Sequence, residues 1–176
     1  MALAVMSKQD FDTLNDERLG WACSKHILLQ IRGKDRQAKN EAMAGLNESQ
    51  RALCMFRVFY DHAKNSVSEY YGWVSQLLAE PGYWSGVTSG LQFFGDSSML
   101  RLLEETKEIF EERRVRLGLQ WSDAVLKDLE QDHDLMAAAS RLFSHLNEIA
   151  PQSLRLIRTY IRANPQQFVR WENSEL

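Results

Sequence analysis

Apolar residues recur along this chain at every third or fourth position. The stretches that keep this rhythm are separated by glycine, proline and short polar side chains. After Asn15, the positions Leu19, Ala22, Cys23, His26 and Leu29 fall on one face, the spacing of a helix with a single buried stripe. Ser7 and Asn15 are placed to cap two helices, because their side-chain oxygens can accept from amides left free in a first turn. Gly33 is placed to stop the second. Residues 33–47 are polar and charged, and read as a connection holding one short helix near Met43 to Leu46. Asn47-Glu-Ser-Gln50 resembles a capping box and opens a helix through Leu53, Phe56, Val58, Phe59 and Tyr60. Ser66-Val-Ser-Glu69 opens the next, through Tyr70, Trp73, Val74, Leu77 and Leu78, which Pro81-Gly82 ends.

From Tyr83 to Phe94, the residues Trp84, Val87, Leu91 and Phe94 share one face, and Gly82, Gly86 and Gly90 share another. A glycine inside a helix costs about 1 kcal/mol relative to alanine, so a row of them predicts a neighbouring helix packed at short range. Gly95-Asp96 separates helices. Residues 97–116 form a long amphipathic helix that buries Met99, Leu102, Leu103, Ile109 and Phe110, and Gly118 stops it. Ser122 is expected to cap a further helix through Ile149. Pro151 is expected in the first turn of the next, and Asn164-Pro165 closes that one ahead of a short last turn with Phe168 and Trp171. No segment alternates with period two. The pattern predicts one all-α domain over residues 1–176, a bundle of seven to nine helices.

Composition agrees with a globular chain: 176 residues, 44% hydrophobic and 26% charged, enough to bury a sizeable core. The formal net charge is -3, and the acidic excess is local, with eleven acidic against six basic side chains in residues 96–134. A strongly basic footprint is absent, so direct nucleic-acid binding is not expected. No apolar run approaches the roughly 18 residues of a membrane span, and the first six residues are too short for a signal-peptide core. Cys23 and Cys54 permit one disulfide on paper, but two buried reduced thiols are favoured. These points predict a cytoplasmic protein.

Candidate chemistry is thin. Glu130-x-x-His133 has the spacing of half a carboxylate di-metal site, but a second Glu-x-x-His is missing. His26, His62, His133 and His145 lack a ligand-type spacing. Cys54 lies among Leu53, Met55 and Phe56, which favours burial over a nucleophilic role. Gly95-Asp-Ser-Ser lacks the lysine of a phosphate loop. No catalytic residue, metal or cofactor is therefore expected. Arg155, Arg158 and Arg162 stand at i, i+3, i+7 and read as a solvated face. Two surfaces remain. Glu104, Glu105, Glu108, Glu111 and Glu112 concentrate negative charge and are the candidate partner-facing side. Tyr70, Tyr71, Trp73 and Trp84, with Gly86 and Gly90, are the candidate lining of a cleft.

Three blocks in order, Asn65-Ser-Val-Ser-Glu-Tyr-Tyr71, Gly90-Leu-Gln-Phe-Phe-Gly95 with the helix to Phe110, and Thr159-Tyr-Ile-Arg-Ala-Asn-Pro-Gln-Gln-Phe168, carry a resemblance. Over roughly residues 50–168 the chain resembles a bacterial family of small helical proteins that includes an acidic DNA mimic, which occupies a transcription factor's DNA-binding surface. Ser66 and Val67 stand where that family has a pair of glycines. A charge of -3 is small beside a duplex, which carries one charge about every 1.7 Å of axis. The resemblance implies a helical fold and a binding role more than imitation of DNA. The expected function is that of a non-catalytic bacterial interaction or regulatory protein whose partner is another protein. The alternative is a small-molecule binder or enzyme using the aromatic, glycine-lined cleft.

Overall fold

Asn47 begins the central helix as its sequence predicts. Its side-chain oxygen accepts from the Gln50 amide at 2.8 Å, and the Gln50 side chain accepts from the Asn47 amide at 3.3 Å, so both arms of the capping box are closed. The computed structural model describes residues 3–121 and 127–172. Among these the helices are α1 (Lys8–Thr13), α2 (Asp16–Ile31), α3 (Arg36–Ala44), α4 (Glu48–Ala63), α5 (Val67–Ala79), α6 (Pro81–Phe93), α7 (Ser97–Leu117), α8 (Lys127–Gln131) and α9 (His133–Ala163). The all-α bundle of seven to nine helices is thus the observed architecture. Ser7, Asn15, Ser66 and Asp96 cap α1, α2, α5 and α7 through side-chain oxygens. Gly118, at φ 66°, supplies the left-handed residue that ends α7. The predicted cap at Ser122 lies outside the described residues.

Helix α4 packs against α2, α5 and α6, and its Phe56 and Phe59 are fully enclosed together with Tyr70, Leu102, Leu103, Leu142 and Leu146. The glycine row explains the approach of α6 in part. A Cβ on Gly90 would stand 2.9 Å from the Ala52 carbonyl oxygen, and one on Gly86 would stand 2.7 Å from the Met55 methyl. A Cβ on Gly82 would meet nothing within 4 Å. Two glycines make the predicted close contact, and the third faces open space.

The structure corrects the sequence reading of several elements. A two-stranded parallel sheet joins β1 (Ala4–Met6) to β2 (Val169–Trp171), with Ala4 opposite Val169 and Met6 opposite Trp171. The short last turn ends at Gln167 and gives way to β2. Strands of three residues are too short to show an alternating period. Secondly, Pro151 does not start a helix but lies within α9. A proline cannot donate to the carbonyl four residues back, here that of Asn147; both residues are exposed, so the missing bond falls on a wet face where water can replace it. Thirdly, the polar connection contains a full helix, α3, none of whose residues is buried.

The arginine stripe of α9 is not merely solvated. Arg158 pairs with Asp16 at 2.6 Å, and Arg162 donates to the carbonyls of Asp12 and Leu14 at 3.0 and 3.2 Å. These contacts fasten α1 and α2 to α9. No helix among the described residues is long and apolar enough to cross a membrane.

Candidate functional site

One face of α4 is left open. Glu48, Arg51, Met55, Val58 and His62 follow one another at three- and four-residue steps and form the floor of a groove of about 990 Å³. From Glu48 to His62 that floor is about 21 Å long, at 1.5 Å per residue. Helix α6 makes one wall with Tyr83, Gly86, Gly90 and Phe93. The end of α2 and the inner side of α3 make the other, with Leu28, Leu29, Lys39 and Met43. Met43 and Leu28 also pack on a small satellite cluster of Ile27, Leu46 and Cys54, which seats the otherwise unburied α3. Arg36 of α3 reaches Glu80, at the junction of α5 and α6, at 3.1 Å.

Arg57 lies beside the floor and is only 4% exposed. Its Nε donates to Asp61 Oδ2 at 3.0 Å, and its guanidinium lies 5.4 Å from the Trp21 ring, a distance at which the ring quadrupole attracts a cation. Burial raises the Asp61 carboxyl above the usual carboxylate range, opposed by the charge of Arg57. The Nη1 of Arg57 has no hydrogen-bond partner among the described residues, nor has Nε1 of Trp73. Trp73 stacks on His62 with ring centroids 4.0 Å apart. His62 therefore faces a ring, and the Asp61 carboxylate goes to Arg57 instead of to its neighbouring histidine.

The predicted cleft residues separate into two groups. Trp73, Gly86 and Gly90 line the groove. Tyr70 does not: it is wholly buried, its hydroxyl 2.6 Å from that of Thr106. Tyr71 is also in the core and donates to Asp128 Oδ2 at 2.8 Å. Trp84 is half-buried against the main core. Each of these rings sits on the inward side of its helix, and helical spacing alone does not tell an inward ring from one that edges a groove. Arg57 and Asp61 were missed. Their signal was an i, i+4 ion pair embedded in an apolar helix, where a charge must have a partner to be buried.

The five glutamates of α7 also divide. Glu105 pairs with Arg141 at 2.7 Å and Glu111 with Arg114 at 3.6 Å. Glu104, Glu108 and Glu112 are exposed, and make no ion pair among the described residues. They form a ridge at i, i+4, i+8, and none of them borders the groove.

Glu130 and His133 are both exposed, and no group of three or more metal-type ligands occurs among the described residues. Cys23 and Cys54 are free and buried, and burial pushes each thiol up to about 12. A thiol attacks as its thiolate, so neither is armed as a nucleophile. Both are expected to resist iodoacetamide in the native protein at neutral pH and to react together on unfolding. Mass spectrometry of the alkylated protein checks this, and rapid native labelling of either would contradict it.

These features define an all-α protein with a long open groove on one helix and an acidic ridge on another. A family model described as DMP19-like protein matches residues 44–164, and the chain belongs to that family. The match takes in α4 to α9 but stops short of α2, most of α3 and both strands. No curated protein and no solved structure matches the chain.

Proposed function

We propose that this chain is a non-catalytic cytoplasmic protein that works by binding another protein, and that the α7 ridge meets a basic surface on that partner. The observation that carries the reading is the exposure of Glu104, Glu108 and Glu112 on one line, together with membership of a family that the sequence resemblance associates with binding. Carboxylates four residues apart are spaced about 6 Å along a helix. That is far sparser than the one charge per roughly 1.7 Å of a duplex, and Arg101 and Lys107 interrupt the same helix. The ridge therefore suits a limited basic patch better than a complete DNA-binding face.

Exposed charges of this kind act mainly on association rate and are screened by salt. The test is affinity capture from the cytoplasm of the source cell, identification of the retained protein, and binding kinetics with that purified partner. Reversal of Glu104, Glu108 and Glu112 to lysine is expected to slow association about tenfold at low salt and to flatten its salt dependence, with an unchanged helical spectrum. A partner whose on-rate ignores the triple reversal would refute the ridge. Failure to retain any protein would refute the binding role.

A further inference from the structure

The groove over α4 has its own electrostatic character. Arg32, Arg36, Lys39, Arg51 and Arg57 line it against two carboxylates, Glu48 and Asp61, in a chain whose formal charge is -3. Arg57 is matched by Asp61 and Arg36 by Glu80. Arg32, Lys39 and Arg51 make no ion pair among the described residues. Between these cations the surface is apolar: Leu29 is 50% exposed and Trp21 36%, and Met43 and Met55 supply adaptable thioether side chains of the sort used at peptide-binding surfaces.

We infer that this groove receives an acidic amphipathic helix of a partner protein. Its floor, about 21 Å long, matches roughly four helical turns, and both its walls are themselves helices. The occupant lays an apolar stripe on Leu28, Met43 and Met55, the helix-in-groove mode in which anchors recur at i, i+3 or i+4, and i+7. Its carboxylates face Arg32, Lys39 and Arg51. The charge selects against basic helices. A second copy of α7 does not fit the description, because its Leu102, Leu103 and Phe110 are already buried and its outer side is polar. Single-stranded nucleic acid fits less well too: it needs open ring faces for its bases, whereas His62 covers one face of Trp73 and much of the lining is aliphatic.

The groove and the α7 ridge share no residue, so this proposal stands or falls apart from the ridge. The experiment selects a displayed library of helical peptides against the full chain, with oligothymidylate as competitor. Two variants decide the site. Gly82→Trp plugs the groove from a position where a Cβ meets nothing within 4 Å. The double variant K39E/R51E reverses charge at a half-buried and an exposed side chain. Circular dichroism confirms that each folds. Enriched peptides are expected to carry aspartate or glutamate beside an apolar stripe, and to bind either variant at least about tenfold more weakly. The ridge reversal should leave their affinity unchanged. The inference is overturned if selection yields no helix, if the enriched helices have no acidic excess, if both variants bind as well as the native chain, or if oligothymidylate displaces the peptides.

Discussion

Gly90→Leu is expected to lower the thermal unfolding midpoint by about 5–10 °C. The added side chain has nowhere to go, since its first carbon would lie 2.9 Å from the carbonyl oxygen of Ala52 and 3.3 Å from its Cα. Backbone of a central helix cannot give way as a side-chain end can. Overpacking of this kind costs roughly 1–3 kcal/mol, the upper part of that range being apt here. For a chain of this size each kcal/mol moves the midpoint by about 2–4 °C. Gly86→Ala should cost less, because the atom it meets is the mobile methyl of Met55. Gly82→Ala should change the midpoint by no more than about 2 °C, or raise it, as alanine is the better helix former. Differential scanning calorimetry of the three variants tests the graded order. Equal effects at positions 82 and 90 would show that the α4–α6 approach does not depend on the missing side chain.

Phe168→Ala should cost more, about 3–5 kcal/mol, the range for emptying a buried phenylalanine site. Phe168 has no exposed surface. Its ring lies edge-on to Tyr160 with centroids 6.2 Å apart, and its carbonyl accepts from the Ala4 amide at 2.8 Å. Tyr160 in turn packs against Phe93 and Phe94 at 5.0 and 5.5 Å, and its hydroxyl lies 3.1 Å from that of Ser49. Removing the ring leaves a cavity where the C-terminal segment, α6 and α9 come together. Urea unfolding of the variant is expected to show a lower midpoint with a similar slope. A shift equivalent to less than about 1 kcal/mol would mean that the site collapses around the deletion.

The helices legible in the sequence were those whose limits are written in local chemistry. The reciprocal bonds of Asn47 and Gln50, the Gly95-Asp96 break and the stop at Gly118 each act within one turn, so a few residues suffice to predict them. What escaped depended on distant parts of the chain. β1 and β2 are strands because they pair with each other, not because either has a pattern. α3 has no fully buried residue for an apolar period to reveal, and is held by Met43 on the satellite cluster, by its Asp35 cap and by Arg36 on Glu80. Pro151 carries the usual sign of a helix start, and only its position on the exposed side of α9 lets the helix run past it. In the groove, Gly86, Gly90 and Trp73 were found because missing side chains and a large ring stand out in the letters. Arg57 was not, since its burial follows from Trp21 and Asp61 closing over it. The cations of Arg32, Lys39 and Arg51 come from three separate segments, and only folding puts them along one trough.

The parallel sheet also orders events during synthesis. β1 is made before all of α1 to α9, and its partners follow 165 residues later. At about 5–20 residues per second, the Ala4–Met6 edge waits roughly ten to thirty seconds with its hydrogen-bonding groups unclaimed. A bare edge invites wrong pairing, which a nearby lysine discourages, and Lys8 stands two residues beyond it. By the time Val169 arrives, α4 to α9 have already been made. The strand pair is thus a clasp that can shut only after the helices between its strands have been made, and a chain whose translation stalls before β2 carries those helices without it.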